Sequence, residues 1–120
     1  MIKKVFLILI AVLAFWLISI MVCEIQTSVF KNQFEGIEEF KEFADVSEFV
    51  KIIKYTPNEA VVYFVYRDKS MGNVIFFKRN GNSWKYNYWD TIWSVSGNAD
   101  KTVWPYWWHC LYFFYPQHRL

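Results

Sequence analysis

Val74-Ile75-Phe76-Phe77-Lys78-Arg79, then Asn80-Gly81, then Ser83-Trp84-Lys85-Tyr86-Asn87-Tyr88-Trp89 is the stretch on which the fold turns. Two runs of β-branched and aromatic residues flank Asn-Gly, the strongest short hairpin signal, because a type I′ turn needs positive φ at both central positions. The second run continues through Asp90-Thr91-Ile92-Trp93-Ser94. Upstream, Asp68-Lys69-Ser70-Met71-Gly72 reads as a turn, and Ala60-Val61-Val62-Tyr63-Phe64-Val65-Tyr66 before it reads as a strand. Thr56-Pro57-Asn58-Glu59 suits a type I turn, and Phe49 to Tyr55 ahead of it is again β-branched and aromatic. Residues 49–55 and 60–67 therefore form a first hairpin, and the chain from 73 onward forms a second.

Before the strands, Phe34, Ile37, Phe40, Phe43 and Ala44 recur at helical spacing between Glu35, Glu38, Glu39, Lys41 and Glu42. That is an amphipathic helix with one apolar stripe. Val46, Phe49, Val50 and Ile53 keep the same spacing, and Asp45 with Glu48 mimics a capping box, so the helix-to-strand boundary is open over this stretch. The fold class is α+β: one amphipathic helix, then a four- to five-stranded antiparallel meander. The order of elements resembles that of cystatin-like and nuclear-transport-factor-like folds. The resemblance is one of order alone and implies nothing about activity.

Both faces of the middle strands are apolar. Val61, Tyr63 and Val65 lie on one side and Val62, Phe64 and Tyr66 on the other, whereas a sheet with one wet face alternates apolar and polar. The helix covers one face, and the expected cover for the second is Trp104 to Tyr115, in which eight of twelve residues are aromatic. That stretch is too short to cross a bilayer. It reads first as a last strand or wrapping arm that completes the core; the alternatives are a binding surface and a belt at a membrane interface, where Trp and Tyr are favoured.

At the other end, Val5 to Cys23 is nineteen positions without a charge, after Lys3 and Lys4 and before Glu24. At about 1.5 Å per residue such a helix spans roughly 30 Å, the hydrocarbon thickness of a bilayer. Ser19 can bond back to its own helix. The run is long for a cleaved signal and has no A-x-A-like site, and Val22 stands where a lipoprotein signal has a small residue before its cysteine. The reading is an uncleaved anchor, with cleavage and lipidation of Cys23 as alternatives. The positive-inside bias puts residues 1–4 in the cytoplasm and 24–120 outside. This divides the chain into a tip and anchor (1–23), a stem or helical continuation (24–33) and an extracytoplasmic α+β domain (34–120).

Residues 24–50 hold seven acids against Lys31 and Lys41, while 51–120 hold nine basic residues against four acids. The bland explanation is a solvated acidic helix; the sharper one is a basic sheet against anionic headgroups. Nucleic acid is not an expected partner, because basic residues never cluster beyond pairs such as Lys78-Arg79. With 7 Trp, 8 Tyr and 12 Phe, all but Phe6, Phe15 and Trp16 outside the anchor, the domain is unusually aromatic. Codon usage implied by abundant Phe, Tyr, Ile, Asn and Lys and scarce Gly, Ala, Arg and Pro suggests an A/T-rich gene and, with the short lysine-led anchor, a bacterium. Pairing of Cys23 with Cys110 would require the C-terminal segment to return to the membrane; two unpaired thiols is the simpler reading.

Chemistry is sparse. His109 and Cys110 are adjacent and point to opposite faces if the segment is extended, so they cannot form a Cys/His nucleophile pair. His109, Cys110 and His118 lack a metal-ligand spacing, and no phosphate loop, G-x-S-x-G or H-E-x-x-H occurs. No enzyme activity, cofactor or metal is expected. The candidate binding residues are Tyr63, Phe76, Tyr86, Trp89, Trp93, Trp104, Trp107 and Trp108. Exposed tryptophans can anchor a protein or peptide or stack on sugar rings, and Tyr63, Phe76, Tyr86 and Trp93 could line a pocket for a small ligand. The expected function is that of a single-pass accessory protein, held in the bilayer by residues 5–23, whose outward domain binds an envelope protein or a peptide. The alternative is a small-ligand or glycan-binding domain, and behind it an enzyme, which would need His109 or Cys110 in a cleft beside an acid.

Overall fold

The computed structural model describes residues 1–94 and 103–109. Among them it is α+β: helix α1 (Ile2–Phe30), a 3₁₀ turn (Lys31–Gln33), helix α2 (Glu38–Val46) and strands β1 (Ser47–Tyr55), β2 (Glu59–Tyr66), β3 (Met71–Asn80) and β4 (Ser83–Ser94). The four strands form one antiparallel meander in the order β1-β2-β3-β4. Both expected hairpins are present. The amphipathic helix starts later than expected: Phe34 lies in the link, and Ile37, with extended backbone, precedes the first turn of α2. Residues 47–53, ambiguous by periodicity, are strand.

The β3–β4 turn sits one residue further on than the Asn80-Gly81 reading places it. Asn80 pairs with Ser83, so Gly81 and Asn82 are the central residues, and among the turn's residues only Gly81 has positive φ, at 66°. That is the pattern of a type II′ turn, which needs glycine at its first central position. Register shifts in the β3–β4 ladder leave Asn87 and Ile92 as extra residues of β4. The first bulge resets the alternation. Trp84 packs in the α2-side core and Trp89 lies against Phe43 of α2, so two tryptophans that strict alternation would separate share a face.

The two sheet faces carry two cores. On the helix face, Phe34 and Phe40 meet Ile52, Val62, Phe64, Ile75, Phe77 and Trp84, with Phe34 4.9 Å from Phe77 and Phe40 5.5 Å from Phe64 between ring centres. On the opposite face, Val61, Tyr63, Val65, Val74 and Trp93 are closed by Val103 and Tyr106 of the arm, described over residues 103–109, and by Cys23 of α1. Most of these side chains fall below 3 % exposure, each worth roughly 1.5–3 kcal/mol relative to standing in water. Over residues 103–109 the arm is thus a wrapping element, and residues 110–115 of the expected cover lie outside the described residues. Its described part is a turn followed by a 3₁₀ turn at residues 107–109, not a strand.

Helix α1 crosses the outer edge of β1 from one face to the other. Cys23 belongs to the arm-face core, and Phe30 stacks on Tyr55 at 3.9 Å on the helix face. Between them Thr27 sits at the edge itself. Its hydroxyl accepts the Ile52 N–H at 2.8 Å while donating to the Cys23 carbonyl at 2.7 Å. An edge strand exposes backbone groups that invite foreign pairing, and α1 covers this one. Ser19 donates to the Phe15 carbonyl within the helix, at 2.9 Å.

Candidate functional site

Because α1 leaves the body on the arm face, its apolar half and the arm come together there. Partial or full burial along α1 falls at Trp16, Ser19, Ile20, Cys23, Glu24, Gln26, Thr27 and Phe30, and all but Gln26 follow a stripe at spacings of three and four on one side of the helix. The indole N–H of Trp16 donates to the Pro105 carbonyl at 2.9 Å. Phe15 stacks on Trp104 at 5.8 Å, and Trp16 meets Trp107 at 6.3 Å and Trp108, edge-on, at 5.8 Å. Trp104 and Trp107 nevertheless remain 49 % and 43 % exposed.

Deeper in the same face lies a polar chain. Trp93 Nε1 donates to the Tyr63 hydroxyl at 2.6 Å, and that hydroxyl lies 2.9 Å from His109 Nδ1. With the hydroxyl donating to Nδ1, the ring proton of His109 resides on Nε2. Phe49 and Tyr106 pack on the imidazole, edge-on at 4.6 Å and stacked at 5.7 Å. Burial pushes the His109 pKa down to about 4, against the weaker opposing pull of Glu48. His109 is a neutral, hydrogen-bonded core residue. Cys110 and His118 lie outside the described residues, and Cys23 is a buried free thiol.

A third cluster ties arm, sheet edge and helix at the end of the uncharged run. Glu24 accepts from Lys51 Nζ at 2.6 Å and from the Tyr106 hydroxyl at 2.8 Å. Burial alone would raise the Glu24 pKa, but the hydrogen bonds from Lys51 and Tyr106 outweigh it and hold the carboxyl below its usual range. The Tyr106 hydroxyl is pushed up, by burial first and by Glu24 second. Among the described residues no three His, Cys, Asp or Glu side chains gather as a metal site would require.

The eight candidate residues do not converge on one pocket. Tyr63 and Trp93 are fully buried, Phe76 is half-buried and stacked on Tyr88 at 4.3 Å, and all three belong to the arm face. Tyr86 packs on the helix-face core, so it cannot line a cavity with them. Trp104, Trp107 and Trp108 gather beside α1, and Trp89 stands apart on the helix face, 48 % exposed. An open apolar cleft of about 320 Å³ does lie on the arm face, bordered by Ile53, Val61, Val74, Phe76, Val103 and Trp104. Sequence reasoning missed Phe15, Trp16, Glu24 and Lys51. Compared with known families, characterised proteins and solved structures, the chain matches none of them.

Proposed function

We propose that the protein is a single-pass membrane protein, N-terminus in the cytoplasm, whose extracytoplasmic α+β body is an interaction module for another envelope protein or a peptide. One observation carries this reading. Helix α1 combines an uncharged run long enough to cross a membrane with a C-terminal third that is built into the sheet, so body and anchor are one piece. A rigid joint of this kind supports a role in which the body presents a fixed surface. The surface that suits a partner is β4, which among the described residues is the edge strand opposite α1 and where Tyr88 and Trp89 are each about half exposed and sit on opposite faces. Large half-exposed aromatics are the side chains that most often anchor an interface. Crosslinking in intact cells followed by purification tests the reading: a defined partner should be recovered, and Trp89→Ala should lose it. Recovery of the protein alone would refute it.

The arm-face cleft favours a second reading, a small apolar ligand held by a cystatin-like or nuclear-transport-factor-like body. Mass spectrometry of the protein purified in its native membrane would detect such a ligand, and Val74→Trp, which fills the cleft, should displace it.

A further inference from the structure

We propose that the arm is a second membrane contact, with Trp104 and Trp107 inserted into the leaflet from which α1 emerges. The inference rests on the reading of α1 as a membrane span and adds to it how the body is seated. Contact between arm and helix does not begin above the uncharged run but inside it. Trp16 and Phe15 hold Pro105 and Trp104, and Trp16 lies eight residues before Glu24, about 12 Å along the helix axis. If residues 5–23 fill the hydrocarbon, Trp104 and Trp107 lie at acyl-chain depth. If the bilayer surface lies instead at Trp16, only residues 2–15 remain below it, about 21 Å, short of the roughly 30 Å core. In the first position the exposed parts of the indoles meet acyl chains, and in the second they meet the interfacial layer, where tryptophan is favoured.

The arm's chemistry suits that position. Pro105 has no N–H to satisfy, and its carbonyl is satisfied from within α1 by Trp16, which removes the backbone polar group nearest the span. The other buried parts of the arm point into the sheet, leaving the two indoles outward. The arm face carries Lys51, Lys54, Lys78 and Lys85 against Glu59 and Asp90, with Glu24 paired to Lys51 and Glu48 acting on His109. The other face carries Glu38, Glu39, Glu42 and Asp45 of α2 against Lys41 and Arg79, so the more acidic face is the one turned away from the arm.

Fluorine NMR of the full chain labelled with fluorotryptophan in nanodiscs tests this, the signals of interest being identified by their loss in Trp104→Phe and Trp107→Phe. The expected result is that a lipid carrying a spin label on its acyl chain broadens Trp104 and Trp107 to the same extent as Trp16, while a water-soluble paramagnetic chelate broadens Trp89 and spares them. If Trp16 responds to the lipid label but Trp104 and Trp107 respond only to the chelate, the inference falls and the span stands. Trp104 and Trp107 silent to both agents would mean protein cover, by a second copy or a partner, and would also overturn it. If Trp16 itself ignores the lipid label, the span fails and the inference with it.

Discussion

Replacing Tyr106 with alanine measures the arm's share in the core. Tyr106 is 2 % exposed, lies against Tyr63, Phe49, His109 and Trp108, and donates its hydroxyl to Glu24. Removing a fully buried aromatic ring leaves a cavity and costs about 3–5 kcal/mol. On a body of this size each kcal/mol moves the melting temperature by about 4–8 °C, so Tyr106→Ala should melt at least about 12 °C below wild type. Tyr106→Phe keeps the ring and loses only the bond to a charged carboxylate, about 1.5–3 kcal/mol, while Lys51 still pairs with Glu24. Trp104→Ala gives up one half-exposed ring stacked on Phe15 and should cost about 1 kcal/mol. Near-UV circular dichroism melts of the full chain in detergent rank the three variants. Tyr106→Ala melting within about 3 °C of wild type, less than 1 kcal/mol on that scale, would refute the assignment of the arm to the core.

Acid should destabilise the fold through His109, whose folded pKa of about 4 lies below the ordinary 6.5. The unfolded chain takes up the proton first, so stability is full above about pH 6.5 and falls as pH drops toward 4, by about 3 kcal/mol in total; the difference between pH 7 and pH 5 melts should shrink in His109→Gln. Gly72→Ala should cost about 1–3 kcal/mol in a denaturant melt, because a Cβ there would fall 2.6 Å from Cε2 of Trp93 inside the packed arm face. Thr27→Val leaves the Ile52 N–H without its acceptor, at about 1–3 kcal/mol, and amide exchange at Ile52 should accelerate, whereas Thr27→Ser should behave as wild type.

What the sequence conveyed and what it hid have separate physical causes. The hairpins were legible because turn chemistry is local: Thr56 to Glu59 closes on itself, with the Thr56 N–H donating to the Glu59 carbonyl at 2.9 Å. The need for a second cover was legible from the doubly apolar strands, and the arm supplies it. The bulges at Asn87 and Ile92 were not, since nothing in either residue type forbids regular pairing, and with them went the face of Trp89. The path of α1 was hidden for a different reason. Burial periodicity is read from contrast, and a stripe of Trp16, Ile20 and Cys23 has none when its neighbours are Leu, Ile, Phe and Val. Two signals were nonetheless present: Trp16 carries an indole N–H that must find an acceptor in an otherwise apolar run, and Ser19, Cys23 and Thr27 place small side chains along one side of the helix, where another segment can approach closely.

The exposed aromatics then sort by the side of the sheet they occupy. Trp104 and Trp107 lie where α1 departs, next to side chains of its uncharged run, so any cover they have must share space with whatever surrounds that run. Trp89 lies on the helix face beside Phe43, three strands removed from α1, on the side that carries the acids of α2. At about 4.8 Å between strands, β4 stands roughly 14 Å from β1, beyond the reach of anything that merely wraps α1. An apolar medium that favours the first pair therefore does nothing for Trp89, and a partner that engages Trp89 need not touch α1. The joint at Thr27 and Glu24 couples the two surfaces, because it fixes the direction in which the helix face looks once the arm face is seated. Loosening that joint should leave each surface intact and spoil their mutual orientation, which is what a fixed presenting module would be unable to tolerate.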